Sequence, residues 1–182
     1  MKSREHSVAK LDVEAFTRDG GHLEGQWPAV ELERLADTAA PEAPASGWPV
    51  VSWSVEGEQR PRRAGEPEIW LHLAAQADVE LTCQRCLHPV HEHVDFERSI
   101  LFVRGEETAA ELDADSEDDV LALTRVLDVK ELIEDELLLT LPLVPRHEVC
   151  PAPLKAPLDD LPEAVEEKPN PFAALAALKK KS

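Results

Sequence analysis

From Ile69 the odd-numbered positions run Ile69, Leu71, Leu73, Ala75, Ala77, Val79, Leu81 and Cys83, while the even positions between them are mostly polar. A period of two sustained this long predicts a long β-strand with one buried face. A two-residue turn at Gln84-Arg85 would fold the chain back on itself. Val79 then lies opposite Val90, Ala75 opposite Val94, Leu73 opposite Phe96 and Ile69 opposite Ile100, so apolar meets apolar. On the other face Asp78 would meet His91 and His72 would meet Glu97. Glu92 and Arg98 break the pattern and mark a bulge, a sheet edge or a different register.

The flanking segments are shorter. Val8 to Phe16 alternates imperfectly up to the turn signal Asp19-Gly20-Gly21 and reads as a short strand or extended arm. After Pro28, the apolar stripe Val30, Leu32, Leu35, Ala36 and Ala39 predicts a helix of about three turns. The proline-rich stretch Ala40 to Pro49 reads as a surface linker. Trp48 to Val55 and Val120 to Leu123 read as strands, and Arg60 to Pro67 as a breaker. Asp128 can cap a helix with the buried stripe Val129, Leu132, Ile133 and Leu137, which Pro142 ends. Arg104 to Asp119 holds eight acidic residues and one basic one, which predicts a mobile acidic loop. A proline-rich acidic stretch follows from Pro151 to Pro169. Asn170 and Pro171 then open a short terminal amphipathic helix carrying Phe172, Leu175 and Leu178. These elements predict an α+β fold: an antiparallel sheet curled toward a barrel, built on the hairpin 69–102 and packed by two helices. Residues 1–150 would form one domain, and 151–182 a tail.

At 182 residues the chain suffices for one core, and its 43% hydrophobic content is that of an ordinary folded protein. With no apolar run long enough for a membrane span or signal peptide, the expected location is the cytoplasm. A net charge of −18 repels phosphate backbones, and eight aromatics without a tyrosine make a poor base-stacking platform. A basic protein partner suits this charge better. Arg60, Arg62 and Arg63, and Lys179 to Lys181, are small basic clusters that read as ordinary surface charge. No phosphate-cradling glycine loop, nucleophile elbow or metalloprotease motif is present, so the expectation is a protein that is not an enzyme and takes no small-molecule substrate.

Candidate chemistry lies in sulfur. Cys83-Gln84-Arg85-Cys86 places two thiols at a hairpin tip, and His147-Glu148-Val149-Cys150 repeats the spacing about 60 residues later. Together they make a Cys3His ligand set, the composition of a structural zinc clip. The competing reading is small buried thiols with Cys150 incidental. A thioredoxin-like role fits less well, because such motifs sit where a strand enters a helix. His91 and His93 share a strand face with Asp95 and Glu97 and read as a solvated polar surface.

Three stretches carry a resemblance: LTCQRC at Leu81 to Cys86, EDELLLTLPLVPRH at Glu134 to His147, and KPNPFAAL at Lys168 to Leu175. Their order and spacing resemble the YceD family, the bacterial large ribosomal RNA subunit accumulation proteins, which also have plant relatives. The resemblance implies a non-enzymatic factor for synthesis, processing or stability of large-subunit 23S ribosomal RNA. Many relatives carry a second CxxC where this chain has His147 and Cys150, and a small residue where it has Leu87. Joined to the charge, the resemblance points to a ribosomal protein or assembly factor as partner, engaged through Glu106 to Asp119. The alternatives are direct rRNA binding with a zinc-knuckle-like hairpin, and a thiol redox protein.

Overall fold

A computed structural model describes residues 6–151. Its frame is one five-stranded sheet: β1 (His22–Trp27), β2 (Val51–Arg60), β3 (Glu68–Thr82), β4 (Pro89–Val103) and β5 (Asp119–Ala122), hydrogen-bonded in chain order. The fold is α+β as expected. The first four strands are antiparallel, but β5 runs parallel to β4, so the sheet is mixed. It is also open: β1 pairs only with β2 and β5 only with β4, and the expected curl into a barrel is not found.

The parallel strand follows from what the acidic segment does. Glu106–Asp115 is not a loop but a helix, α3, which carries the chain back across the end of the sheet. Such a crossover returns β5 in the direction of β4. Glu, Ala and Leu are good helix formers, and Glu106 and Glu107 lie in the first turn, where the helix dipole favours negative charge. Ala109 is buried, and the Asp113 carboxylate accepts a hydrogen bond from the Val120 N–H at 3.0 Å.

The long hairpin forms, with a different register. Thr82 pairs with Pro89, so partner numbers add to 171 rather than 169. Val79 faces Glu92, Ala75 faces Phe96, Leu73 faces Arg98 and Ile69 faces Phe102; on the other side Asp78 meets His93 and His72 meets Ser99. A shift of two leaves every side chain on its expected face. Its cause is the turn, which holds four residues, not two: the Cys83 N–H bonds the His88 carbonyl at 3.0 Å, and the Leu87 N–H bonds the Cys83 carbonyl at 2.9 Å. Leu87 takes a left-handed conformation, with φ of 62°. Glu92 and Arg98 mark an edge. Strand β5 covers β4 only from Ile100 onward, so charged side chains before that point reach past the border, and Arg98 Nε–H donates to Glu136 at 3.2 Å.

The inner face of the sheet, including Val51, Val55, Leu71, Leu73, Val79 and Ile100, is buried beneath helices. Val8 to Phe16 is not a strand. It forms a 3-10 turn, Val8–Lys10, and a helix α1, Val13–Arg18, capped by the Asp12 carboxylate on the Ala15 N–H at 3.0 Å. Val13 and Phe16 are three apart, the helical spacing that the imperfect alternation concealed. Phe16 lies over Gly57 so closely that a Cβ there would come within 2.7 Å of its ring and 2.9 Å of Thr17 Cα.

The expected three-turn helix is broken into a 3-10 turn, Ala29–Glu31, and a single helical turn α2, Glu33–Ala36. A distant side chain causes the break. The backbone N–H groups of Arg34 and Leu35 donate to Glu134 Oε1 at 2.7 and 3.1 Å, so a new helix start is capped from 100 residues away. The Arg34 guanidinium adds bonds to Glu134 and to Asp135. Ala39 then bridges to Leu81, and the proline-rich linker buries Ala40 and Ala45 instead of lying wholly on the surface.

Glu134 belongs to α4 (Val129–Thr140), capped as expected by Asp128, which accepts from the N–H groups of Lys130 and Glu131 at 3.0 and 3.2 Å. Val129, Ile133 and Leu137 are its buried stripe, with Leu132 half-buried. The helix stops before Leu141-Pro142, where the residue preceding proline turns extended. The expected terminal helix and most of the proline-rich tail lie outside the described residues. No helix among the described residues is long and apolar enough to cross a membrane.

Glu134→Ala removes the acceptor of two backbone donors and the partner of Arg34, and is expected to lower unfolding free energy by about 2–3 kcal/mol in urea titrations. Gly57→Ala is expected to lower it by roughly 1–3 kcal/mol, because the new methyl meets α1 backbone as well as the Phe16 ring.

Candidate metal centre

The connection between β3 and β4 curls both of its cysteines inward, Cys83 just before the four-residue turn and Cys86 within it: Cys83 is fully buried and Cys86 is 3% exposed. Beyond α4, the segment after Pro142 returns to this turn and is fastened there by main chain. The Gln84 N–H donates to the Pro145 carbonyl at 2.9 Å. That contact sets His147 and Cys150 beside the thiols. All four residues of the Cys3His set, Cys83, Cys86, His147 and Cys150, meet, with their ligand atoms within 4.8 Å of one another.

The separations suit a tetrahedral ion. Two thiolates bound at about 2.3 Å lie about 3.8 Å apart, and a thiolate and an imidazole nitrogen about 3.6 Å apart. Cys83 Sγ and Cys150 Sγ are 3.9 Å apart, and Cys86 Sγ and His147 Nδ1 are 3.4 Å apart. All three cysteines are free thiols, and 3.9 Å is nearly twice a disulfide length of about 2.05 Å. The donor set fits a Zn²⁺ ion with every coordination position filled by protein. Such closed sites cross-link a fold and leave no place for a bound water to react.

Electrostatics favour the ligand state. Burial alone would push the Cys83 thiol up, but the backbone N–H groups of His147, Arg85 and Cys86, together with the His147 side chain, outweigh it and hold Cys83 at about 5. Cys86 is raised, first by burial and then by the neighbouring sulfurs of Cys150 and Cys83. One thiol is thus ready as thiolate, and another holds its proton until a cation offsets the crowding of sulfur charge.

Arg85, inside the CxxC, is the residue that ligand counting misses. Its Nε–H donates to Cys150 Sγ at 2.9 Å, and its Nη2 donates to the carbonyls of His147 and Glu148 at 2.7 and 3.1 Å. One guanidinium therefore orients one ligand and the backbone of the second pair. Three thiolates, one imidazole and a Zn²⁺ ion would sum to a charge of −1, which Arg85 would offset. The signal for it was present in the sequence only as an arginine between two cysteines.

Other sequence-flagged groups stay apart from this cluster. His93 Nδ1 lies 2.8 Å from Asp78, and His91 lies 3.3 Å from Glu80 and 3.6 Å from Asp78, all on the outer face of the sheet. Arg60 stacks on Trp70 at 4.5 Å and bonds Glu58, while Arg62 bonds Glu68. Lys179 to Lys181 lie outside the described residues.

Residues 71–179 match the family described as large ribosomal RNA subunit accumulation protein YceD, a span that contains all four ligands. The chain is also 32% identical over 160 residues to the large ribosomal RNA subunit accumulation protein YceD of Haemophilus influenzae, covering 86% of this chain and 87% of that protein. No solved structure matches it.

Purified protein is expected to carry about one equivalent of zinc by elemental analysis, and chelation is expected to lower its melting temperature. Cys83→Ser or Cys150→Ser is expected to abolish retention of the metal. Arg85→Ala keeps it but weakens affinity roughly 10–100-fold in competition with a chromogenic chelator. A wild-type protein free of zinc with an unchanged melting curve would refute the clip.

Proposed function

The chain belongs to the YceD family of large ribosomal RNA subunit accumulation proteins, and on that premise we propose that it is a non-catalytic ribosome-biogenesis factor acting in the cytoplasm. It sustains large-subunit 23S rRNA by binding a basic ribosomal protein or assembly factor. The zinc clip through Cys83, Cys86, His147 and Cys150 fastens the hairpin tip to the segment after α4 and keeps that surface in shape.

The distribution of charge carries the choice of a protein partner. Against a net charge of −18, the side chains of Arg34, Arg62, Arg98, Arg104 and Lys130 are engaged by carboxylates, and Arg85 by the clip. Among the described residues only Lys10, Arg18, Arg63, Arg125 and Arg146 lack such a partner, a small count to follow a phosphate backbone against that net charge. Arg85, the basic residue a zinc-knuckle mode would offer to RNA, is instead bonded to the His147–Cys150 segment. A thiol redox role is disfavoured by the burial of Cys83 and Cys86, since exchange needs an accessible sulfur.

Two measurements test this reading. A deletion strain is expected to lose large subunits on sucrose gradients and to regain them with the wild-type gene. Crosslinking of the purified chain to large-subunit components is expected to yield a basic protein. Submicromolar, steeply salt-dependent binding to naked 23S fragments would overturn the protein-partner reading in favour of direct rRNA contact.

A further inference from the structure

The sheet has a second face. Helices α1 and α4 pack beneath the strands, whereas above β2, β3 and β4 the side chains of Gln76, His91, His93, Asp95 and Glu97 are exposed. Small residues make this face concave. A hollow of about 280 Å³ is lined by Ser52, Ser54, Ala74 and Gln76, with Asp95 and Glu97 along one side. It shares Ser54, Ala74 and Glu97 with a second hollow that runs on to Glu56, His72 and Ser99. The result is a shallow trough over three strands, with carboxylates at both rims.

The carboxylates of this face are largely uncompensated, as those of α3 are, but only here do they rim a hollow over paired strands. Glu56, Asp95 and Glu97 have no ion-pair partner among the described residues, and Glu24, Asp78 and Glu80 meet only histidines. The arginines lie elsewhere: Arg34 and Arg98 reach α4, and Arg104 reaches Glu14 and Glu66. The one arginine on this side of the strands, Arg60, is held at the far end against Trp70 and Glu58. Uncompensated negative charge around a cleft focuses its field and draws in cations.

Spacing selects the form of the cation. Asp95 and Glu97 are alternate residues of one strand and so stand about 6.8 Å apart, the same distance that separates alternate side chains of an extended peptide. We propose that this trough is the seat of an extended, lysine- and arginine-rich protein segment whose alternate basic side chains meet Asp95 and Glu97 on one rim and Glu56 on the other. The proposal rests on the protein-partner reading above and moves the contact from Glu106–Asp119, the acidic stretch around α3, to the open face of the sheet.

The test uses the full chain and a fluorescein-labelled synthetic peptide of alternating lysine and serine. Two triple variants remove equal charge from exposed positions: Glu56→Gln/Asp95→Asn/Glu97→Gln on the sheet, and Glu106→Gln/Glu107→Gln/Glu111→Gln on α3. Fluorescence anisotropy is expected to show a loss of roughly tenfold in affinity for the sheet variant and less than about twofold for the α3 variant, with melting temperatures unchanged. Equal losses, a larger loss from α3, or no peptide binding by wild type would each overturn the assignment. The broader reading survives those results if the same protein still crosslinks to a basic large-subunit protein. It falls when naked 23S fragments bind with submicromolar, steeply salt-dependent affinity.

Discussion

Fourteen cross-strand pairs between β3 and β4 set the positions of everything else that matters in this molecule. The inner side chains of the two strands supply much of the apolar floor onto which α1 and α4 pack, and their outer side chains line the trough. At one end, the connection around a four-residue turn holds two cysteines; at the other, β4 runs on through α3 to the parallel strand β5. The pairing is long enough that one irregularity, Leu87 in the left-handed region, can be accommodated without disturbing the ladder.

Features governed by local periodicity were legible in the chain. The alternation from Ile69 to Cys83, the cap at Asp128 and the apolar stripe of α4 each depend on near neighbours, and each is present in the structure. The two-fold alternation determined the buried face even though the register was two residues off, because a shift of two leaves every side chain on its side. What could not be read are effects delivered from far away. The helix expected after Pro28 is split by a carboxylate on Glu134, and nothing near Leu32 announces it. The acidic segment carried an ordinary helical composition that its charge obscured, and with that helix went the parallel direction of β5.

The cysteine and histidine set was legible by composition but not by proximity. What brings Cys83 and Cys150 together is a main-chain bond from Gln84 to Pro145 and the fork of Arg85, interactions with no signature beyond the residues themselves. This division of labour has a physical logic: buried thiolates would concentrate negative charge that a proton or a cation must relieve, and the loop geometry and the guanidinium preassemble a cluster that could hold such an ion.

The half-covered state of β4 also gives meaning to its two misfit residues. Between Pro89 and Ser99 this strand has no neighbour on its outer edge among the described residues, leaving unpaired N–H and C=O groups that would template another chain. Glu92 and Arg98 lie on the core side of that strand, where a docking β-strand would have to bury them, and Pro89 removes a donor at its start. The departures from the hydrophobic rhythm therefore act as gatekeepers: they forgo some apolar packing and discourage edge-to-edge aggregation.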